Sequence, residues 1–247
     1  MEYFILASGS KGNCSIIRTK KTTIMLDCGL TKRRLNAALQ VNNLTLDMVQ
    51  AVLITHSHSD HINGIRFVSN LPIYSPCPIK SITGEIAVIP YESFTIGDIQ
   101  ITPLKLSHDA PETVGYIFKA DEELVYITDT GYVSEQNLRL IQDADYYILE
   151  ANHDVEMLMN SERPAMLKAR ILSDCGHLNN EQCGEIIAHV IGKDTKEVVL
   201  AHLSQETNTP DIALETVKNT MYNCGTPLLD LRIFTADQVI PLHGGRL

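Results

Sequence analysis

The sequence predicts an α/β protein in which two sheets pack face to face with helices on the outside. Three observations carry this expectation. The first half of the 247-residue chain is a series of short apolar, β-branched runs. The second half mixes such runs with helical patterns. No internal repeat and no Pro/Gly/Ser-rich linker divides them, so one domain over residues 1–247 is expected.

The elements follow in order. Tyr3-Phe4-Ile5-Leu6-Ala7 reads as a strand ended by the loop Ser8-Gly9-Ser10-Lys11-Gly12-Asn13. Residues 14–18 and 23–27 flank Lys20-Lys21 as a hairpin, and Thr31 caps a helix to about Gln40. Ala51-Val52-Leu53-Ile54-Thr55 is a buried strand that delivers His56. Strands are expected at 94–96, 99–106, 114–119 and 123–128, with short apolar runs at 146–149 and 198–201. Helices are expected at 134–142, 165–172, 180–191 and 210–222, and a closing strand near 239–242.

Composition narrows the functional classes. Hydrophobic residues make 44 % of the chain and charged residues 20 %, which excludes disorder and low complexity. No apolar run approaches the roughly 20 residues of a membrane helix. Met1-Glu2-Tyr3 gives no basic start before Phe4, so no secretory signal is expected. Six cysteines lie without any C-x-x-C pair and are expected to be reduced thiols of a cytoplasmic protein. The net charge of −10 argues against indiscriminate binding of nucleic acid. That charge is uneven: residues 125–247 carry −9, whereas residues 11–34 carry seven Lys or Arg against Asp27 alone.

Thr55-His56-Ser57-His58-Ser59-Asp60-His61 is the strongest chemical signal. His56 and His58, two apart on an extended segment, share one face. Asp60 and His61 follow where a helix can begin. Imidazole and carboxylate suit Zn²⁺, Mn²⁺ or Fe²⁺, and an all-cysteine structural site is excluded. The bland alternative, a solvated His-rich turn, fits poorly with the apolar run leading into it. His108, Asp129 and His202 each stand where an apolar strand pattern stops, the position that forms sites in layered α/β folds. Each alone reads equally well as a polar strand cap; together with residues 56–61 they repeat one pattern.

These residues resemble the H-x-H-x-D-H signature and later ligands of the metallo-β-lactamase superfamily. The resemblance implies an αββα sandwich and two divalent metal ions. It assigns His56, His58 and His108 to one metal and Asp60, His61 and His202 to the other, with Asp129 bridging. Leu6–Asn13, Leu26–Leu30, Ile127–Tyr132, Glu150–Leu158, Leu172–Glu181 and Ala201–Ser204 look like the WalJ/YycJ group, which is regarded as exonuclease-like. There is also similarity to ribonuclease Z and to cyclic phosphodiesterases of phosphonate metabolism. The resemblance therefore implies a phosphodiesterase, with a hydroxide shared by the two cations as nucleophile. It implies that His177 protonates the leaving group, that Glu150 holds His177, and that Asp60 orients the nucleophile. His177 as a helix-capping surface residue remains the alternative. Only about 70 residues separate Asp129 from His202, which leaves no room for a β-CASP insert, and no long arm for gripping transfer RNA is visible.

Substrate contacts are expected from Ser10, Lys11 and Asn13, from Lys32-Arg33-Arg34, and from Arg163, Lys168 and Arg170, which can follow a polyanion backbone or simply be solvated helix faces. Tyr132 can stack on a base, and His153 lines the site or caps a helix. A DNA exonuclease is favoured over an RNA enzyme. A small-molecule hydrolase acting on a cyclic phosphodiester or a thioester is the alternative. The complete ligand set argues against a third reading, a regulatory protein with a vestigial site.

Overall fold

A computed structural model describes residues 1–226 and 231–246. The chain forms two compact units. One comprises Met1–Lys105, Ala110–Glu122 and the segment from Ala236 onward; the other comprises Leu106–Asp109 and Glu123–Thr235.

The first unit is built on strands β1 (Glu2–Ala7), β2 (Cys14–Arg18), β3 (Thr23–Leu26), β4 (Ala51–Leu53), β5 (Ile73–Ser75) and β6 (Ile86–Ala87). The chain's last strand, β14 (Leu242–Gly245), pairs with β1, so the sheet order is β14-β1-β2-β3-β4-β5-β6. Pairing is antiparallel up to β3 and parallel beyond it. β1 to β4 are buried almost throughout because both faces are covered, which is why their sequences are continuous rather than alternating. Phe4, Leu6, Ile16, Met25, Val52 and Ile54 form one core with Leu35 and Leu39 of helix α1 (Lys32–Val41). Each fully buried side chain of this kind contributes about 1.5–3 kcal/mol. Thr31 caps α1, its hydroxyl accepting from the Arg34 amide. A second, antiparallel set, β7 (Phe94–Ile96), β8 (Ile99–Lys105) and β9 (Val114–Lys119), packs in the same unit. The Tyr116 hydroxyl donates to the Ile54 carbonyl at 2.7 Å and the Val114 amide to the Thr55 carbonyl at 3.0 Å. These bonds fix the segment leading from β4 to helix α2 (Ser59–Ile62).

The second unit carries four parallel strands in the order β10 (Glu123–Ile127), β11 (Tyr146–Glu150), β12 (Glu197–Ala201) and β13 (Arg232–Thr235). Around them lie α3 (Glu135–Leu140), α4 (Val155–Asn160), α5 (Ala165–Ile171), α6 (Asn180–Val190) and α7 (Pro210–Asn223). Four of these helices begin with a polar cap: Ser134 for α3, Asp154 for α4, Asn179 for α6 and Thr209, followed by Pro210 at the first helical position, for α7. At α6 the cap is reciprocal, with the Gln182 amide donating to Asn179 Oδ1 and the Asn179 amide to Gln182 Oε1.

Among the described residues no helix is long and apolar enough to cross a membrane, and all six cysteines are free thiols. The expected closing strand near 239–242 lies three residues further on, at Leu242–Gly245. Its pairing with β1 decides the register, and Val239 and Ile240 are exposed rather than in the ladder. β5, β6 and β13 carry only two to four residues each and escape periodicity analysis. The capping box gives a direct stability test. Asn179→Ala lowers the unfolding free energy by about 1 kcal/mol, read as a lower urea midpoint with an unchanged slope.

Candidate metal centre

The first unit gathers the His-rich segment against the exit of β3. Asp27, immediately after that strand, is fully buried and adopts a left-handed backbone (φ 57°). Its carboxylate accepts from the Thr55 amide at 2.9 Å and from His61 Nδ1 at 2.7 Å. The Thr55 hydroxyl donates to Asp27 Oδ2 at 2.9 Å and is left to accept from His56 Nδ1 at 3.0 Å. This chain of bonds assigns the tautomers of both rings: Nδ1 carries the proton, and Nε2 is the basic atom turned to the site. The ring centroids of His56 lie 4.7 Å from His58 and 4.1 Å from His61.

Asn13 completes this half. The Gly9 amide donates to Asn13 Oδ1 at 2.7 Å, which fixes the side-chain amide so that Nδ2 donates to His61 Nε2 at 2.9 Å and to Asp60 Oδ2 at 3.3 Å. Asn13 is thus buried beside two expected ligands. Gly29 explains how α2 comes so close: a Cβ there would lie 1.5 Å from the Asp60 carbonyl oxygen. The Cys28 amide donates to the His61 carbonyl at 2.8 Å, binding the helix to the β3 exit.

The second unit gathers His108, Asp129, Glu150, His177 and His202. Asp129 follows β10 and His202 follows β12, both with left-handed backbones (φ 59° and 56°). Such conformations cost about 1–3 kcal/mol each and turn a side chain out of the strand direction at once. Asp129 Oδ1 lies 3.4 Å from His202 Nδ1, 3.7 Å from His177 Nδ1 and 3.9 Å from His108 Nε2. His108 Nδ1 donates to the Gly176 carbonyl at 3.1 Å, so Nε2 is again the basic atom.

Glu150, at the end of β11, is the hub of this half. Its Oε1 accepts from His177 Nδ1 at 2.8 Å and from His202 Nδ1 at 3.0 Å; its Oε2 accepts from the Thr130 and Leu178 amides at 3.0 and 3.2 Å. Burial by itself would raise this carboxyl, but the two imidazoles outweigh it and hold Glu150 ionised, at about 2. The same pairing acts in reverse on His177. Burial would lower its pKa, and the Glu150 carboxylate raises it above the ordinary histidine value. His108 is lowered, chiefly by burial. Donor atoms of Asp129, Glu150, His177 and His202 all lie within 4.8 Å of one another.

The remaining expected site residues are placed as follows. Ser10, Lys11, Lys32 and Arg33 are exposed, and Arg34 donates to the Lys11 and Gln238 carbonyls at 2.6 and 2.7 Å. Arg163 pairs with Glu206 at 2.9 Å, Lys168 donates to the Met159 and Ser161 carbonyls, and Arg170 forms an ion pair with Asp109. Tyr132 is half exposed. His153 is fully buried, and neither ring nitrogen has a hydrogen-bond partner among the described residues; burial pushes its pKa down to about 4 and keeps it neutral. Sequence reasoning passed over Asp27, Thr55 and Asn152, whose side-chain Nδ2 donates to the His202 carbonyl at 2.9 Å. Asp27 shares the strand-end position that singled out Asp129 and His202, so the same signal was present.

The donor set suits divalent metal ions: His56, His61, His108 and His202 each have Nδ1 held by an acceptor, which leaves the lone pair on Nε2, and the Asp60 and Asp129 carboxylates stand beside His61 and His108. Residues 22–203 match the β-lactamase superfamily domain, and the chain belongs to that family. It is a metal-dependent hydrolase of the metallo-β-lactamase fold, an αββα sandwich. It is 37 % identical over 236 residues to the exodeoxyribonuclease WalJ of Streptococcus pneumoniae, covering 89 % of this chain and 88 % of that protein. The exodeoxyribonuclease YycJ of Bacillus anthracis is 35 % identical, covering 91 % of this chain and 90 % of the relative. Among solved structures, the metallo-β-lactamase fold protein YhfI from Bacillus subtilis superposes with a TM-score of 0.70 at 18 % identity, over 98 % of each chain, which extends the shared fold across nearly the whole sequence.

Asp27→Asn removes the acceptor that holds His61 and Thr55, and lowers metal affinity about 10–100-fold, read by calorimetric titration of the metal-free protein. In wild-type protein, metal at a hundred times its dissociation constant stabilises the fold by about 2.7 kcal/mol, measured by urea unfolding; at the same metal concentration the gain is smaller in Asp27→Asn.

Proposed function

We propose that the chain is a metal-dependent exodeoxyribonuclease that hydrolyses DNA phosphodiester bonds from a 5′ end, and that residues 1–247 act as one metallo-β-lactamase-fold domain. The observation that carries the reading is the shared acceptor at Glu150, with His177 and His202 on the same carboxylate oxygen. A departing alkoxide needs a proton, and this arrangement supplies a protonated imidazole directly beside a ligand. The names of the two curated relatives support DNA as substrate.

In this reading His56, His58 and His108 hold one divalent cation, Asp60, His61 and His202 a second, and Asp129 both. When bound, two such ions supply Lewis acidity and lower the pKa of water towards neutrality. The chain's own groups do the rest. Asp27 and Thr55 keep His61 and His56 in the ligating tautomer. Asp60 orients the attacking water by accepting its hydrogen bond. His177 donates its proton from Nε2 to the leaving oxygen, while Glu150 holds Nδ1–H and stabilises the imidazolium. The donor chemistry fits Zn²⁺, Mn²⁺ or Fe²⁺. The six free thiols support a reducing compartment, and we assign the protein to the cytoplasm.

Purified protein with Mn²⁺ or Zn²⁺ degrades end-labelled DNA, and His58→Ala abolishes the activity. His177→Ala lowers kcat about 10²–10⁴-fold at unchanged metal content, measured by single-turnover cleavage beside metal analysis. Turnover of a cyclic phosphodiester or a thioester, without cleavage of any DNA or RNA, would sink the nuclease reading in favour of a small-molecule hydrolase.

A further inference from the structure

A nuclease must neutralise more than the phosphate it cleaves. The metal centre meets the scissile group, but each neighbouring phosphate in a polymer brings its own negative charge. Three cations of the second unit lie on or just before α5, and their side chains are used differently. Arg163 donates Nε to Glu206 at 2.9 Å and Nη2 to Ser204 at 3.4 Å. Lys168 donates to two backbone carbonyls at 2.7 Å. Lys168 thus closes the loop before its own helix, and Arg163 is tied to the segment after β12. Arg170 instead gives Nη2 to Asp109, and its side chain remains 55 % exposed.

The tether is placed for function. Asp109 follows His108 directly, and its other oxygen lies 3.3 Å from His108 Nε2. One carboxylate therefore positions an exposed guanidinium beside an expected metal ligand. The end of α5 is also rigidly joined to the loop carrying His177. The His177 amide donates to the Ile171 carbonyl at 3.0 Å, and a Cβ on Gly176 would lie 2.4 Å from the Arg170 carbonyl oxygen and 2.1 Å from that of Ile171. Arg170, His108 and His177 thus keep a fixed spacing. A guanidinium with one nitrogen bound to a carboxylate still presents N–H donors in a planar fork that matches phosphate oxygens.

We propose that Arg170, aimed by Asp109, binds the phosphate next to the scissile one and so makes the site selective for a polymer over an isolated phosphodiester. This rests on the nuclease reading. The test is fluorescence anisotropy of metal-loaded protein with a short labelled single-stranded DNA bearing a phosphorothioate backbone, which keeps the charges and slows hydrolysis. Arg170→Ala raises Kd about tenfold at low salt and reduces the slope of log Kd against log salt by about one. Arg170→Lys regains the slope but not the full affinity, because a lysine lacks the fork that Asp109 aims. Arg139→Ala, at an exposed arginine paired with Glu135 one turn away, serves as the control and keeps wild-type binding. Wild-type protein that cleaves DNA, together with an Arg170→Ala variant of unchanged Kd and slope, overturns this inference alone. Equal losses in Arg170→Ala and Arg139→Ala also overturn it, since they point to a diffuse charge effect. Wild-type protein that neither binds nor cleaves DNA removes the nuclease reading and this inference with it.

Discussion

A histidine can ligate a metal through only one ring nitrogen at a time, so something must hold the other. That constraint organises this protein. In the first unit the holder is Asp27, which takes His61 directly and His56 through the Thr55 hydroxyl. In the second it is Glu150, which takes His202 and His177 on one oxygen. Both carboxylates are completely buried. An isolated buried carboxylate would be costly, yet each here accepts several hydrogen bonds, and Glu150 stays ionised in spite of its burial. The two acids set the direction of the rings before any ligand arrives, which is the preorganisation that a precise site requires.

The strands serve this constraint by where they stop. Asp27 and His202 directly follow a buried strand and Asp129 stands one residue beyond, and all three turn sharply in the left-handed region. The strain is tolerable because each of these strands is held by a parallel ladder to a neighbour: β3 to β4, β10 to β11 and β12 to β11. Gly29 contributes the complementary device in the loop after β3: without a side chain, the backbone lets α2 settle against it and bring Asp60 and His61 to Asn13.

Charge follows a similar division of labour. The net −10 includes residues that are spent inside the site, and the basic stretch 11–34 leaves Lys11, Lys32 and Arg33 on the surface while Arg34 ties α1 to the carbonyls of Lys11 and Gln238. A global excess of acid therefore says little about local attraction to a polyanion. What matters is which cations keep donors to spare, and neither count nor spacing reveals that. Lys168 and Arg170 are two residues apart and look alike in sequence, yet one closes a loop and the other faces solvent beside Asp109.

The sequence by itself determined the chemistry and most of the scaffold. The apolar runs before His56, Asp129 and His202 marked strand ends, and His56-x-His58-x-Asp60-His61 marked the ligands, because buried strands and metal donors both demand narrow residue types. The short elements β5, β6 and β13 were not read from the sequence, and the last strand fell three residues from its expected place because pairing with β1 sets its register. Only the tertiary structure decided that Asp27 and Thr55 hold the rings of the site, that Asn13 donates to His61 and Asp60, and that Glu150 serves two rings at once. Those roles depend on contacts between residues 20 to 52 positions apart, and hydrogen-bond geometry over such separations is created by packing rather than by any local pattern.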